Sequence, residues 1–104
     1  MYLPNLTPNG FSSIITVMQE KHQVLHAKLD ECLTAMQNVQ DIRSKSTMFK
    51  FYKNCRITWI FLDQEFVECR RQKRVTLKYT ELEREFLEHV HNFHQWHVMA
   101  TLMY

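Results

Sequence analysis

Residues 48–69, MFKFYKNCRITWIFLDQEFVEC, decide the fold, because apolar side chains recur in them at alternating intervals of four and three. This spacing places the apolar side chains on one face of an α-helix. The run ITWIFL at 57–62 favours a β-strand by composition, but the helical spacing continues through it without a break. The apolar face consists of Met48, Tyr52, Cys55, Trp59, Leu62, Phe66 and Cys69. We therefore expect a helix over about 47–70.

Two further helices are predicted on either side of this segment. The same alternation upstream predicts a helix over about 13–40, with Ser12 or Ser13 as its N-cap. Downstream, Thr80-Glu81-Leu82-Glu83 has the capping-box pattern, in which the threonine oxygen accepts from the amide three residues on. This pattern predicts a third helix over about 81–103. The apolar face of the first helix consists of Met18, His22, Leu25, Leu29, Cys32, Met36 and Val39.

The 104 residues are expected to form a single all-α domain. Both prolines and the one glycine lie in the first ten residues, so we expect 1–11 to be an irregular N-terminal arm. The rest of the chain lacks backbone breakers. Three long helices with short connections predict an antiparallel bundle, or four helices if the arm or residues 75–79 add a turn. We expect dimerisation or a partner to complete the bundle.

The composition also restricts where in the cell the protein is expected and what its cysteines can do. No apolar run approaches the length of a membrane span, and no basic segment followed by an apolar one opens the sequence. We therefore expect a cytoplasmic protein that does not bind a membrane. Cys32, Cys55 and Cys69 are an odd number without Cys-x-x-Cys spacing, and they fall on predicted apolar faces. They are interpreted as buried thiols, and no cofactor is expected.

Charge is unevenly distributed along the chain. Residues 43–78 contain ten basic and three acidic residues, whereas acidic residues predominate before and after them. This excess of basic residues could bind an acidic protein surface or the phosphates of a nucleic acid. The acidic first and third helices could instead neutralise it at the rim of the bundle. Base stacking is disfavoured because Tyr52 and Trp59 fall on the predicted core face. The candidate basic patch is Lys50, Lys53, Arg56, Arg70, Arg71, Lys73 and Arg74.

The stretch EHVHNFHQWH at 88–97 holds four of the six histidines. A helical wheel places His91, His94 and His97 on one flank of the third helix. It places His89 in the core sector, which consists of Leu82, Phe86, His89, Phe93, Trp96 and Ala100. We interpret these histidines as packing and interface residues, with a pH-sensitive contact as an open alternative. His89→Ala is therefore expected to destabilise the fold.

A metal site is the second interpretation of the histidines. His22 and His26 have the four-residue spacing of a shared metal, and Glu88, His91 and His94 could add ligands from the third helix. Asp63, Glu65 or Glu68 would complete such a site from the second helix. Residues 17–36, VMQEKHQVLHAKLDECLTAM, resemble the opening helix of hemerythrin-like proteins, which implies a metal-binding bundle. The later His-x-x-x-Glu and His-x-x-x-His pairs of that family are missing, and a di-iron bundle needs two Glu-x-x-His pairs where this chain has one.

The predicted helices have more apolar surface than three helices can bury. The apolar and histidine sector of the third helix spans about 200°, twice what a surface helix needs. The second helix carries Phe49, Ile57, Ile60 and Phe61 outside its core face. A second copy or a partner must cover this excess. The predicted interface is Leu87, His91, His94, His97, Val98 and Leu102.

These observations favour a small, non-catalytic, protein-binding regulator: an adaptor, a chaperone or an inhibitor. It is expected to be a homodimer and to act on an intracellular, possibly acidic protein. No glycine-rich phosphate loop exists in a chain with one glycine, and thiolates on a core face would be costly. A metal-binding helical bundle and a nucleic-acid-binding regulator using the basic 43–78 segment are the alternatives.

Overall fold

A computed structural model describes residues 8–102 of the chain, with side chains from 14 to 102. These residues form α1 (Pro8–Gln37), α2 (Ile42–Gln72) and α3 (Leu77–Leu102). Each helix packs against the other two, and α3 packs most extensively on α2. The described residues contain no strand. The predicted all-α class and the three-helix bundle are thus confirmed, whereas dimerisation and a fourth helix stay predictions.

All three helices begin earlier than the sequence predicts. α1 starts at Pro8, so residues 8–11 of the predicted arm are helical. Proline suits the first position of a helix because the amide that it lacks would have no helical partner there. The rest of the arm, 1–7, lies outside the described residues. α2 starts at Ile42 and not at 47, because the Asp41 side chain caps it and accepts from the Ser44 amide at 2.8 Å.

The turn between α2 and α3 shows that the predicted capping box at Thr80 is wrong. Thr76 caps α3 instead: its Oγ1 accepts from the Tyr79 amide at 3.1 Å and donates to Glu65 Oε2 at 2.6 Å. Glu65 is buried, so Thr76 stabilises both the helix end and a buried carboxylate. Lys73 ends α2 in the left-handed conformation, with φ of 58°, and the Arg74 amide bonds the Cys69 carbonyl at 3.1 Å.

The core follows the predicted apolar faces of α1 and α2. Every predicted residue of α1 from Met18 to Met36 is buried, and so are those of α2 except Trp59, which is half-buried. Val39 lies just beyond α1 and packs against the core. Consecutive helices run antiparallel. His22 of α1 packs on Phe66 of α2 while Cys32, further along α1, bonds Cys55. Phe51 of α2 packs on Trp96 of α3, and Phe66 packs on Tyr79.

The predicted core face of α3 is wrong at two positions. Val90 is buried, whereas His89 is half-buried and Trp96 is 43% exposed. The physical reason is that α3 packs into the groove between two helices. Tyr79, Phe86, Phe93 and Ala100, spaced by seven, point into the groove. On one side of this line, α3 residues face α2; Trp96, for example, stacks on Phe51. On the other side, α3 residues face α1.

Candidate protein-binding surface

α2 is apolar on two opposite sides. Its second apolar side faces solvent, with large side chains that are each between 45% and 62% exposed. On a helical wheel these residues lie opposite the buried face of the same helix. We call them the outer face of α2: Phe49, Ile57, Ile60, Phe61 and Val67. Val67 was not among the residues predicted outside the core face, although its seven-residue spacing from Ile60 places it on the same line.

Unpaired cations alternate with these apolar residues. Lys50, Lys53 and Arg56 are exposed, and residues 42–62 contain no aspartate or glutamate. Among the ion pairs of the described residues, none involves these three cations. Direct ion pairs with the acidic helices therefore do not neutralise these three cations. The outer face combines apolar surface with uncompensated positive charge.

The other four residues of the basic patch lie at the far end of α2, about 20 Å along the helix from Arg56. Three of these side chains make local contacts. Arg71 forms an ion pair with Glu68, whose pKa its hydrogen bonds lower to about 2. The Arg70 guanidinium lies 5.9 Å from the centre of the Phe66 ring, and Arg74 donates to Gln72 Oε1 at 2.8 Å. The predicted basic patch therefore consists of two separate groups.

The predicted interface on α3 divides in a similar way. Leu87, His91, Val98 and Leu102 are exposed, and the last is 80% exposed. His94 and His97 are half-buried and pack against the Phe93 ring, at centroid distances of 5.7 and 6.2 Å. The exposed residues are therefore available to a second chain, whereas these two rings already contribute to the core.

The described residues of the predicted metal site do not form a group that could hold a metal. His26 Nδ1 is 3.4 Å from Asp30 on its own helix, and Glu88 and His91 are exposed on α3. His22 instead contacts Asp63 and Tyr79. Between residues 14 and 102, no group of three or more histidine, cysteine or carboxylate side chains could hold a metal.

His22 is the buried histidine of the bundle, as its place on the predicted apolar face of α1 indicates, whereas His89, which was also predicted in the core, is half-buried. The His22 ring is stacked between Trp59 and Phe66, with centroid distances of 4.5 and 4.1 Å. Its Nε2 lies 2.8 Å from Asp63 Oδ1, and its Nδ1 lies 3.0 Å from the Tyr79 hydroxyl. An ionised carboxylate only accepts, so Nε2 donates, and in the neutral ring Nδ1 accepts from Tyr79.

The Tyr79 hydroxyl suits the role of donor. Burial, followed by the nearby Glu83 carboxylate, raises its pKa well above the usual value, so that the hydroxyl keeps its proton. The chain of bonds runs from Tyr79 on α3 through His22 on α1 to Asp63 on α2. Both ring nitrogens are occupied by these bonds. This cluster therefore holds three helices in register.

A second buried cluster also joins the three helices. Cys32 of α1 and Cys55 of α2 are fully buried free thiols, and their side chains hydrogen-bond to each other. This bond, with burial, raises the pKa of Cys55. His94 of α3 lies 4.0 Å from Cys32 Sγ through its Nε2, and burial lowers the pKa of His94. The predicted interpretation of these cysteines as buried thiols is confirmed.

No known protein family matches the chain, and comparisons with curated proteins and with solved structures found no match. Within residues 8–102, no helix is both long enough and apolar enough to cross a bilayer.

Proposed function

We propose that this protein is a small, non-catalytic regulator that binds another protein inside the cell. The observation that carries the proposal is the outer face of α2, where five large apolar side chains face solvent on one helix. Burying such side chains stabilises a complex by about 25 cal/mol for each Å² of apolar surface removed from water. Exposed apolar side chains grouped on one side of a helix and bordered by polar residues are typical of protein interfaces.

The polar clusters of the bundle support a role without catalysis. Both nitrogens of His22 are engaged in hydrogen bonds, and Glu65 accepts from Thr76. Cys32 and Cys55 are fully buried. A catalytic nucleophile or base needs access to a substrate. These groups instead connect the helices to one another.

Homodimerisation through α3 is a further part of the proposal. Val98, Leu102, Leu87 and His91 are exposed on one side of α3, away from α2's outer face. A dimer formed there would leave the outer face of α2 free for a different protein. The regulator would then present two identical binding surfaces.

Affinity capture with matched variants tests the proposed function. The tagged full chain is incubated with cell extract as wild type, as Phe49→Ser/Ile60→Ser on α2, and as Val98→Ser/Leu102→Ser on α3. We expect one protein to be retained by the wild type and by the α3 variant, and its recovery to fall about tenfold with the α2 variant. Circular dichroism confirms that each variant folds.

The same experiment can contradict the proposal. Loss of the captured protein with the α3 variant alone would move the binding surface to α3. Identical protein recovery from all three baits and from empty resin would mean that the exposed apolar residues bind no protein, and the proposed function would be wrong.

A further inference from the structure

The outer face of α2 has a chemical pattern that selects among possible occupants. Phe49, Ile60 and Val67 form a line along the helix, and its ends are 18 residues, or about 27 Å, apart. Lys53 and Arg56 lie between Phe49 and Ile60 and are exposed. Apolar and cationic side chains therefore alternate along the surface, and an occupant has to match both.

We propose that the outer face of α2 binds an acidic amphipathic helix of a partner protein. The apolar side of that helix covers Phe49, Ile57 and Ile60, and its carboxylates pair with Lys50, Lys53 and Arg56. This inference rests on the proposed function and specifies the class of partner. A helix lying along a straight surface of this length presents a side chain every three or four residues, which matches the alternation on α2.

Charge argues against a second copy of the chain on this surface. A symmetric dimer places the same patch of both copies in contact. Pairing the 49–60 parts of two outer faces would bring Lys50, Lys53 and Arg56 against their own counterparts, because residues 42–62 supply no carboxylate to separate them. Like charges that face each other in an interface oppose association. A partner of opposite charge turns the same groups into attractive contacts.

The placement of the cations also argues against a membrane surface and a nucleic acid. An amphipathic helix on a membrane keeps its basic residues on a polar face, beside an uninterrupted apolar one. Here Lys53 lies within the apolar line. A nucleic acid would neutralise the cations with phosphates but would leave Ile57 and Ile60 without an apolar contact. An acidic helix satisfies both kinds of side chain.

Binding of defined probes tests the inference. The probe is a labelled 21-residue helical peptide with leucines on one side and glutamates on the other; a lysine-for-glutamate twin and a scrambled peptide are the comparison probes. Anionic phosphatidylserine vesicles and single-stranded DNA form two further arms. Fluorescence anisotropy measures binding to the full chain at low and high salt. Two variants with the same change in net charge are compared: Lys53→Glu/Arg56→Glu on the outer face, and Arg74→Glu/Arg84→Glu elsewhere.

We expect saturable binding of the acidic peptide that weakens with salt, and no binding of its basic twin. The outer-face variant should lose affinity by about tenfold or more, whereas the Arg74→Glu/Arg84→Glu variant should change it less than about threefold. Phe49→Ser/Ile60→Ser should weaken binding at both salt concentrations, because its contribution is apolar.

Several results would overturn the inference. These are binding of the scrambled or the basic peptide as tightly as the acidic one, equal losses in the two charge variants, and tight binding of vesicles or DNA without the peptide. If the protein captured from cell extract still requires the outer face, only the class of occupant is wrong. If no protein is captured either, the proposed function falls with it.

Discussion

His22 joins all three helices through one ring. It stacks between two aromatic rings of α2 and bonds a residue of α3 from its place on α1. Stacked aromatic pairs contribute about 0.5–1.5 kcal/mol each beyond the burial of their surface. Removing the ring would also leave the buried Tyr79 hydroxyl without its acceptor.

We therefore expect His22→Ala to lower the free energy of unfolding by about 2–4 kcal/mol, through lost packing and an unpaired hydroxyl. His89→Ala should cost less than about 1 kcal/mol, because His89 is half-buried and contacts Glu85 at 3.7 Å on its own helix. Urea denaturation of the two variants measures both values. Equal losses would contradict the assignment of His22 as the central core histidine.

His94 should make stability depend on pH near neutrality. Burial lowers its pKa in the folded state, while the nearby Glu31 opposes this and His97, Lys28 and His91 reinforce it. In the unfolded chain His94 takes up a proton as the pH falls below about 6.5, before the folded protein does. Its contribution is therefore present above that pH and is lost as the pH falls below it.

The test compares unfolding free energies between pH 7 and pH 5. The loss of stability on acidification should be smaller in His94→Gln than in the wild type. His26→Gln is the control, because His26 is exposed and is not among the groups that act on the pKa of His94, so it should change the slope less than His94→Gln does. A wild-type slope that persists in His94→Gln would assign the pH dependence to other groups.

The position of the buried histidine shows what the sequence could and could not predict for single residues. His22 falls on the predicted apolar face of α1, so its burial was predictable. Its partners were not, because Trp59, Asp63 and Tyr79 are far away in sequence. His89 was misplaced because a helical wheel shows which residues share a face but not how that face is rotated towards two neighbours.

At the scale of the helices, Thr76 fixes the start of α3. Thr76→Ala removes the N-cap and the hydroxyl that donates to buried Glu65, so we expect a loss of about 1–3 kcal/mol. Thr80→Ala should change stability by less than about 0.5 kcal/mol, because Thr80 is exposed and lies within the first turn. Thermal or urea unfolding of both variants decides which threonine is the cap. A larger loss of stability for Thr80→Ala would mean that Thr80 is the N-cap, as the capping-box pattern predicts.

Lys73 provides a test at the other side of the same turn. A side chain in the left-handed region carries a steric cost that glycine avoids. Lys73→Gly should therefore stabilise the fold by about 0.5–1 kcal/mol. Arg70→Gly removes the same charge from the helix itself and should destabilise by about 1 kcal/mol. Destabilisation by Lys73→Gly would show that its side chain matters more than its backbone conformation.

The three helices could be predicted because their apolar spacing is regular over many turns. This spacing identifies each segment as an α-helix and identifies the buried faces of α1 and α2. The residues at which the helices begin and end were harder to predict. Thr80-Glu81-Leu82-Glu83 fits a capping box by composition, but Thr76 has a buried carboxylate within reach, and this tertiary contact decides the start. Pairing partners of this kind are invisible to local patterns.

For the whole molecule, the predicted dimer through α3 has a direct test. Val98→Glu/Leu102→Glu should convert a dimer into a monomer, because it places charges where apolar side chains would meet. Phe49→Glu/Ile60→Glu should leave the dimer intact. Sedimentation velocity distinguishes the two species. A wild-type monomer at high micromolar concentration would contradict the dimer.

The excess of apolar surface was predictable from the sequence, because a core face and a second apolar side can both be counted on one helix. That the cations of α2 form no ion pairs with the acidic helices could not be predicted, since acidic and basic helices in one bundle suggest mutual neutralisation. The structure turns Lys50, Lys53 and Arg56 away from the acidic helices, because the apolar residues of α2 determine which side faces the core.

The stacking of His22 on Trp59 gives the bundle an internal optical probe. Trp59 and Trp96 are the two tryptophans of the chain. One packs on His22, and the other stacks on Phe51, about 12 Å along α2 from Trp59. Trp59 emission will respond when α1 detaches, and Trp96 emission when the end of α3 frays. Replacing each with phenylalanine would let fluorescence follow the opening of the two regions separately.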